Sequence, residues 1–385
     1  MDRLHIGIGI VACMLVVACG GGEEPSDDPF AASMGGPAFG DEGGSDGDDG
    51  DGDGLDDDGD DGPVGDDGGS ADDGAPGDDG GAAEDGGSDG GDAEPPPPMG
   101  LCHEAPPAGA PQPPSPKDYS GGSCPAITPG WNSGFQSDGR SREFAFIAPS
   151  DHDPTKSYPL VIAWHHINGN AMDYIAELDA QAIADERQMM FAIPQDSGMF
   201  EASWPFTPLD NDQAEVDLVF FDDMLSCIHE QYNVNLSCVS SAGVSAGGLW
   251  TAFLGQRRGN FLASNLVFSG GYPTENFGAP WWGWQESPHI FASLVVWGGP
   301  SDVLGLDFHA ASLNYIDHLD GDGHFIVKCE HDQGHGTPPP GEGQTEPPLS
   351  ALFDFVLQHP YWYEGTSIYE TEPPPAEMPS YCELP

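Results

Sequence analysis

The stretch "CVSSAGVSAGGLW", residues 238–250, places Ser245 between two glycines, Gly243 two positions before it and Gly247 two positions after it. Small and β-branched residues precede the serine and helical spacing follows it, so the stretch predicts a strand, a sharp turn and a helix. Glycine at such a turn lets strand and helix approach closely, while the serine hydroxyl projects from the bend. The stretch predicts a nucleophile elbow, although in a chain with 55 glycines the spacing alone is weak support.

Predicted strands and predicted helices alternate along the chain from residue 141 onward. Continuous apolar runs predict strands, and the spacing of apolar residues between them predicts helices, including one helix over residues 171–188. The runs that predict strands are "REFAFIAP", "YPLVIAW", "MMFAIP", "LSCVSSAGV", "SNLVFSGG", "ASLVVWGG" and "HFIVKC". This alternation predicts an α/β fold, a mainly parallel sheet with helices on both faces and a site at the C-terminal ends of the strands.

Two later loops supply the partners that a serine nucleophile needs. Asp302 follows the strand "ASLVVWGG", and His335 lies between two glycines after "HFIVKC". A serine hydroxyl becomes nucleophilic when a histidine accepts its proton, and a carboxylate holds that histidine in one tautomer. We predict Ser245, Asp302 and His335 as nucleophile, acid and base. Asp307 is the rival acid, although its position at the start of a helical pattern equally predicts a capping residue, and His331 is the rival base.

Stabilising a developing oxyanion needs two backbone N–H groups. Ala246, which follows the serine at the start of a helix, is predicted to supply one. The other is expected from His166 or Ile167, in the loop "HHINGN" after "PLVIAW". His165 and His166 have no third ligand in the sequence that would support a metal role, and we predict neither a metal nor another cofactor.

The N-terminal part of the chain has the composition of a leader and a linker. Residues 1–19 combine Arg3, an apolar run and "VVAC", which resembles a lipobox and predicts a lipoprotein signal peptide with lipid on Cys19. Cys13 is a weaker rival. Residues 20–117 are predicted to be a disordered acidic tether rich in Gly, Asp and Pro, and residues 118–385 a catalytic domain. Because Gly20, and not aspartate, follows Cys19, an outer-membrane or cell-surface location is favoured.

Charge and cysteine content limit the partners. The chain has 65 Asp and Glu against 9 Lys and Arg, a net charge of −56, which argues against binding nucleic acid or an anionic membrane. The lipid anchor is then the only expected membrane contact, and we expect a monomer. The Asp/Gly spacing at residues 49–60 imitates a calcium loop, but Asp56 occupies its apolar position. Six cysteines beyond the leader suggest disulfides, with Cys227–Cys238 the most plausible pair.

Three segments resemble one family of secreted esterases, which includes polyhydroxybutyrate depolymerases and feruloyl esterases. They are "YPLVIAWHHINGNAMDY", "VDLVFFDDMLSCIHEQYNVNLSCVSSAGVSAGGLW" and "CEHDQGHGTPP", within a similarity that runs from Arg142 to Pro360. The resemblance implies the α/β-hydrolase fold, the triad Ser245, Asp302 and His335, and no cofactor. It also implies ester substrates: plant-wall phenolic esters, acetylated sugars or short hydroxyacid polyesters. One departure is His166, where members usually have glycine.

Tryptophans are the candidates for substrate contact. Trp281, Trp282 and Trp284, in "APWWGWQESPH", and Trp204, in "EASWPF", would suit stacking on a sugar ring or a phenolic acyl group if exposed. They would equally suit packing of loops onto the domain.

Together these features predict a surface-anchored serine esterase that acts on an ester-bearing polysaccharide or polyester. The alternative is a surface carbohydrate-binding protein that keeps the hydrolase fold without turnover, which the substitution at His166 favours. A peptidase on the same fold is a third and weaker option.

Overall fold

The computed structural model describes residues 100–200, 203–205, 210–273, 282–343 and 348–385. The predicted signal peptide, Cys19, the acidic segment up to residue 99 and Trp281 lie outside the described residues. None of the helices in the described ranges is both long and apolar enough to cross a membrane.

Nine strands of the described residues form one sheet: β1 (Gly130–Ser137), β2 (Arg140–Ile147), β3 (Tyr158–Trp164), β4 (Met190–Pro194), β5 (Val234–Val244), β6 (Ser264–Phe268), β7 (Ala292–Trp297), β10 (Ile326–Glu330) and β11 (Cys382–Glu383). Two short strands, β8 (Val303–Leu304) and β9 (Leu306–Asp307), form a separate hairpin. The order in the sheet is β1-β2-β4-β3-β5-β6-β7-β10-β11. The pairings from β4 to β10 are parallel, and antiparallel pairs lie at both edges. The mainly parallel sheet confirms the predicted class.

Helices cover both faces of this sheet. Along β3, Leu160 and Ile162 belong to one apolar cluster and Val161 and Ala163 to the other, because successive side chains of a strand point to opposite faces. The first face is covered by α3 (Glu215–Tyr232), α4 (Ala246–Arg258) and α5 (Phe308–Gly321), and the second by α1 (Ala171–Glu177), α2 (Ala180–Arg187) and α6 (Leu349–Gln358). Full burial on both faces explains the continuous apolar runs of the central strands.

The single helix predicted over residues 171–188 is wrong, because the structure divides it into α1 and α2. Asp179 lies between them in the left-handed region, at φ +49° and ψ +42°. Aspartate tolerates this conformation better than most residues, and one such residue ends a helix. The Asn170 side chain caps α1 by accepting a hydrogen bond from the Asp173 N–H.

The six cysteines among the described residues pair as Cys102–Cys238, Cys124–Cys227 and Cys329–Cys382, so the predicted pair Cys227–Cys238 is wrong. Cys227 points from α3 into the cluster on the first face of the sheet, whereas the Cys238 side chain lies in the cluster on the second face. The sheet therefore separates the two sulfur atoms, although the residues are close in sequence.

The Cys102–Cys238 disulfide also corrects the predicted boundary between tether and domain at residue 118. Cys102 is buried, and the Asn235 side chain donates a hydrogen bond to its carbonyl oxygen. Further along the segment, the Lys117 ammonium lies 2.7 Å from an Asp222 oxygen. Residues 100–117 thus pack against the domain.

Candidate active site

Ser245 occupies the sharp turn between β5 and α4 that the opening stretch predicts. Its backbone has φ +56° and ψ −119°, a region that residues other than glycine rarely adopt. The Ser245 N–H donates to the carbonyl oxygen of Phe268 at the end of β6, at 2.9 Å, which holds the turn against the neighbouring strand. This is the geometry of a nucleophile elbow, in which the hydroxyl stands above the C-terminal edge of the sheet.

The glycines around the serine are required by close contacts of the backbone. A Cβ at Gly247 would overlap the carbonyl oxygens of Trp164 and His165, and a Cβ at Gly243 would overlap the backbone of Gly247. The strand, the helix and the loop after β3 therefore meet with no room for side chains. At positions 243 and 247 glycine is required because a side chain has no space, and not because φ is unusual.

Asp302 is placed by a tight turn after β7. The residue is completely buried, and its Oδ2 accepts a hydrogen bond from the Gly298 N–H at 2.9 Å. Its carbonyl oxygen accepts from the N–H groups of Phe308 and His309, at 2.9 and 3.2 Å. The carboxylate is thus fixed by backbone contacts within ten residues of its own position.

His335 lies in the loop after β10, between Gly334 (φ +79°) and Gly336 (φ +156°). A Cβ at Gly298 would overlap the backbone of Gly334, so the loops that carry the aspartate and the histidine pack directly on each other. Sequence reasoning missed Ser269, whose Oγ donates to the Gly336 carbonyl at 3.0 Å and lies 3.2 Å from the Gly336 N. The one local feature of the sequence that could have pointed to Ser269 is its position directly after strand β6.

The structure brings the three predicted residues into one chain of hydrogen bonds. His335 Nδ1 lies 2.7 Å from Asp302 Oδ1, and His335 Nε2 lies 2.9 Å from Ser245 Oγ. Because a carboxylate can only accept, Nδ1 carries the proton, and Nε2 is free to accept from the serine hydroxyl. The arrangement can withdraw a proton from Ser245 while Asp302 stabilises the imidazolium that forms.

The two rival residues lie outside this chain. Asp307 caps α5, since its Oδ1 accepts from the Ala310 N–H at 2.8 Å. His331 is buried, its Nδ1 accepts from the Gln333 N–H at 3.2 Å, and burial lowers the pKa of its ring. Neither side chain is hydrogen-bonded to Ser245 or His335.

Ala246 is the first residue of α4, directly beside Ser245, where N–H groups have no partner within the helix. The loop that begins with His165 reaches the same place, because β3 pairs with β5 and Trp164 is in register with Gly243. The loop's His166 and Ile167, the predicted sources of the second N–H donor, thus follow directly from the strand beside the elbow.

The prediction that Trp204 and Trp282 stack on a substrate is wrong. Trp204 is 0% exposed and its indole N–H donates to the His165 carbonyl at 2.8 Å, while Trp282 is 2% exposed and donates to the Gln256 side chain. Both rings belong to the apolar cluster on the first face of the sheet.

Trp284 is partly exposed but lies away from the triad. It stacks on His318 with ring centroids 4.4 Å apart and donates to Asp322, at the C-terminal end of α5. The opposite end of that helix, Phe308, contacts the His335 ring. Ten residues of helix separate Phe308 from His318, about 15 Å, so Trp284 lies too far from the triad to contact the reacting ester group, and its stacking on a more distant part of a substrate stays a prediction.

Within the described ranges, no group of three or more His, Cys, Asp or Glu side chains is arranged so that it could hold a metal ion.

No family model matches the sequence, and no curated protein sequence matches it. Among solved structures the chain is similar to native pOPH (17% identity, TM-score 0.53, 68% of this chain and 97% of that one). It is equally similar to native sOPH (18%, TM-score 0.53, 68% and 96%). A poly(3-hydroxybutyrate) depolymerase from Bordetella parapertussis matches at 12% identity over 60% of this chain and 89% of that one, with a TM-score of 0.45, which is too low to establish a shared fold.

At such identities the likeness shows the fold alone. The parallel sheet, the elbow after β5 and the order Ser, Asp, His along the chain define the α/β-hydrolase fold, which confirms the predicted fold class.

Proposed function

We propose that this protein is a serine carboxylic ester hydrolase that works through an acyl-enzyme. The observation that carries the proposal is the hydrogen-bond chain from Ser245 through His335 to Asp302, at 2.9 and 2.7 Å, on a serine held at φ +56°. A buried carboxylate, a histidine in a defined tautomer and a serine on a strained turn together meet the geometric requirements for nucleophilic catalysis.

Each step follows from these positions. Ser245 Oγ attacks the ester carbonyl carbon while His335 Nε2 accepts the hydroxyl proton. The Ala246 N–H and an N–H of the loop after β3 stabilise the oxyanion. His335 then donates the proton to the oxygen of the leaving alcohol, and the acyl group stays on the serine. Water, activated by the same histidine, releases the acid, and Asp302 remains ionised throughout.

The test is hydrolysis of p-nitrophenyl acetate by the full chain and by its Ser245→Ala variant. We expect release of nitrophenol by the wild type, and a loss of about 10⁴-fold or more in kcat for the variant. Equal background rates for both proteins would refute the proposal and favour the alternative, a carbohydrate-binding surface protein without turnover. The feature in favour of that alternative is His166 in place of glycine.

For the natural substrate we propose feruloyl or acetyl esters of polysaccharides, or short-chain hydroxyacid polyesters. This rests on the family resemblance of the segments around Ser245 and His335. Methyl ferulate, acetylated xylan and a short-chain polyester, assayed side by side at equal enzyme concentration, distinguish the classes by kcat/KM. No cofactor is required by the mechanism, and we propose that a monomer performs it.

We also propose that the protein is exported and held by lipid on Cys19, at the outer membrane or cell surface, with an acidic tether between anchor and domain. Three disulfides support export, because they form and persist in oxidising compartments. Metabolic labelling with a fatty acid should mark the wild type and not Cys19→Ser. Label retained by that variant would refute the anchor.

A further inference from the structure

The loop after β3 has three consecutive carbonyl groups that each accept a hydrogen bond from a side chain. The Trp204 indole N–H donates to the His165 oxygen at 2.8 Å. His165 Nδ1 lies 2.8 Å from the His166 oxygen, and His166 Nδ1 lies 2.9 Å from the Ile167 oxygen. Since a carbonyl oxygen can only accept, each ring nitrogen is the donor.

These contacts fix the direction of the N–H groups as well. In a trans peptide the C=O and N–H of one plane point in opposite directions. The His166 oxygen is held by two donors, because the Gly169 N–H also reaches it at 3.1 Å. The peptide between His166 and Ile167 is therefore the most firmly fixed of the three, and its N–H belongs to Ile167.

We propose that Trp204, His165 and His166 are positioning residues that hold the Ile167 N–H as the second oxyanion donor. Glu177 of α1 acts behind them: its Oε1 lies 3.3 Å from His166 Nε2. His166 stands where the family that the sequence resembles usually has glycine, so contacts with side chains would here hold a backbone that glycine leaves open to close approach. This inference rests on the proposed esterase function.

The charge of the His166 ring supports the same role. Both of its ring nitrogens face oxygen acceptors, and Glu177, together with Asp173, raises the pKa of His166 above its usual value. Burial lowers the pKa of the neighbouring His165, so that ring stays neutral and does not oppose the charge. A protonated His166 then adds positive charge beside the loop.

The first experiment compares Trp204→Phe with Trp164→Phe. Both variants keep an aromatic ring in one T-shaped stack, but the Trp164 indole donates to the Ser241 hydroxyl at 3.0 Å and not to the loop. With p-nitrophenyl acetate we expect kcat of Trp204→Phe to fall about 10- to 100-fold, with KM nearly unchanged. This is less than the fall in kcat that removal of an oxyanion N–H donor itself causes, because the donor is displaced and not deleted. Trp164→Phe should keep kcat within about threefold.

Phenylboronic acid, which forms a tetrahedral adduct on a serine, supplies a readout that a merely structural role would not move. Its inhibition constant should rise in Trp204→Phe by the same factor by which kcat/KM falls, and should stay constant in Trp164→Phe. An active wild type with equal kcat in the two variants would overturn the positioning role alone. A wild type without hydrolysis would refute the proposed function itself.

The second experiment uses Glu177→Gln, with Glu186→Gln as control because Glu186 pairs with Arg187 at 2.7 Å on the next helix. In the wild type kcat/KM should decline as pH rises and His166 loses its proton. Glu177→Gln should move this decline to lower pH, whereas Glu186→Gln should leave it in place. Superposable profiles for Glu177→Gln and wild type would overturn the role of Glu177.

Discussion

The triad and the loop after β3 meet at one edge of the sheet, but different forces position them. Ser245, Asp302 and His335 each lie on a backbone feature that residues near them in sequence form: an elbow, a tight turn that closes on Gly298, and two flanking glycines. The loop from His165 to Gly169 is held by its own histidine rings and the Gly169 N–H, and also by the side chains of Trp204 and Glu177, which reach it from outside. Backbone placement leaves local patterns in a sequence, and placement by distant side chains does not.

This contrast predicts two kinds of effect on activity. A substitution in the triad should lower kcat by removing a catalytic group without moving the backbone, whereas a substitution at the loop contacts should lower kcat by displacing the backbone N–H that stabilises the oxyanion.

The largest effect is expected from Asp302→Asn. The amide can still accept from the Gly298 N–H, but it can present a donor to His335 Nδ1 and so favour the tautomer that cannot accept from Ser245. We expect kcat to fall by about 10⁴-fold with little change in stability. The measurement is kcat with p-nitrophenyl acetate, together with the thermal midpoint.

Asp307→Asn is the matched control, because asparagine caps a helix as well as aspartate does. It should keep kcat within about twofold. Equal losses in the two variants would mean that the carboxylate of Asp302 has no special part in the reaction.

A smaller effect, on the free energy of unfolding, is expected at Gly247, where the elbow touches the loop after β3. Ala at position 247 would place a Cβ against the carbonyl oxygens of Trp164 and His165, which are backbone atoms and cannot rotate away. We expect Gly247→Ala to lower the free energy of unfolding by about 3 kcal/mol and to reduce kcat as the loop shifts. Urea denaturation measures the first quantity.

Gly321→Ala controls for the loss of glycine itself. Gly321 ends α5, and a Cβ there would meet no heavy atom within 4 Å. This variant should be unchanged or up to about 1 kcal/mol more stable. If Gly247→Ala had the same free energy of unfolding as Gly321→Ala, the elbow and the loop after β3 would not be in tight contact.

Most of the sheet and the three triad positions could be predicted from sequence because local features of the backbone place them. A buried parallel strand is a continuous apolar run, and the residues after its C-terminal end face one edge, so Asp302 and His335 could be placed without knowing any side-chain contact. The fold class is confirmed, and the structure brings the three residues together. Their catalytic roles stay predictions until activity is measured.

The errors concern features that depend on distant contacts. The pair Cys227–Cys238 looked plausible because the residues are close in sequence, but the sheet separates them. For Trp204 the sequence left substrate contact and packing onto the domain open, because nothing local shows that its indole N–H donates to the His165 carbonyl. Residues 100–117 have the composition of a linker, and a disulfide from Cys102 to β5 attaches them to the domain.

The smallest effect tests whether loss of activity in acid comes from the triad or from unfolding. His359 is fully buried: its Nδ1 lies 2.7 Å from the Phe355 oxygen and its Nε2 2.6 Å from Ser367 Oγ. Burial lowers the pKa of His359 to about 4. The unfolded chain therefore takes up this proton near pH 6.5 and the native protein only near pH 4, so stability is lost as pH falls between these values.

We expect this histidine to contribute a loss of about 1.4 kcal/mol in the free energy of unfolding for each pH unit from 6.5 to 4. His359→Asn should remove that contribution from the slope, measured by urea denaturation at several pH values, even if it lowers stability throughout. Its pH profile of kcat above the unfolding range should match the wild type, because the substitution leaves the triad unchanged. If the pH at which kcat falls in acid moved in His359→Asn together with the pH at which the protein unfolds, the loss of activity would come from unfolding and not from the triad.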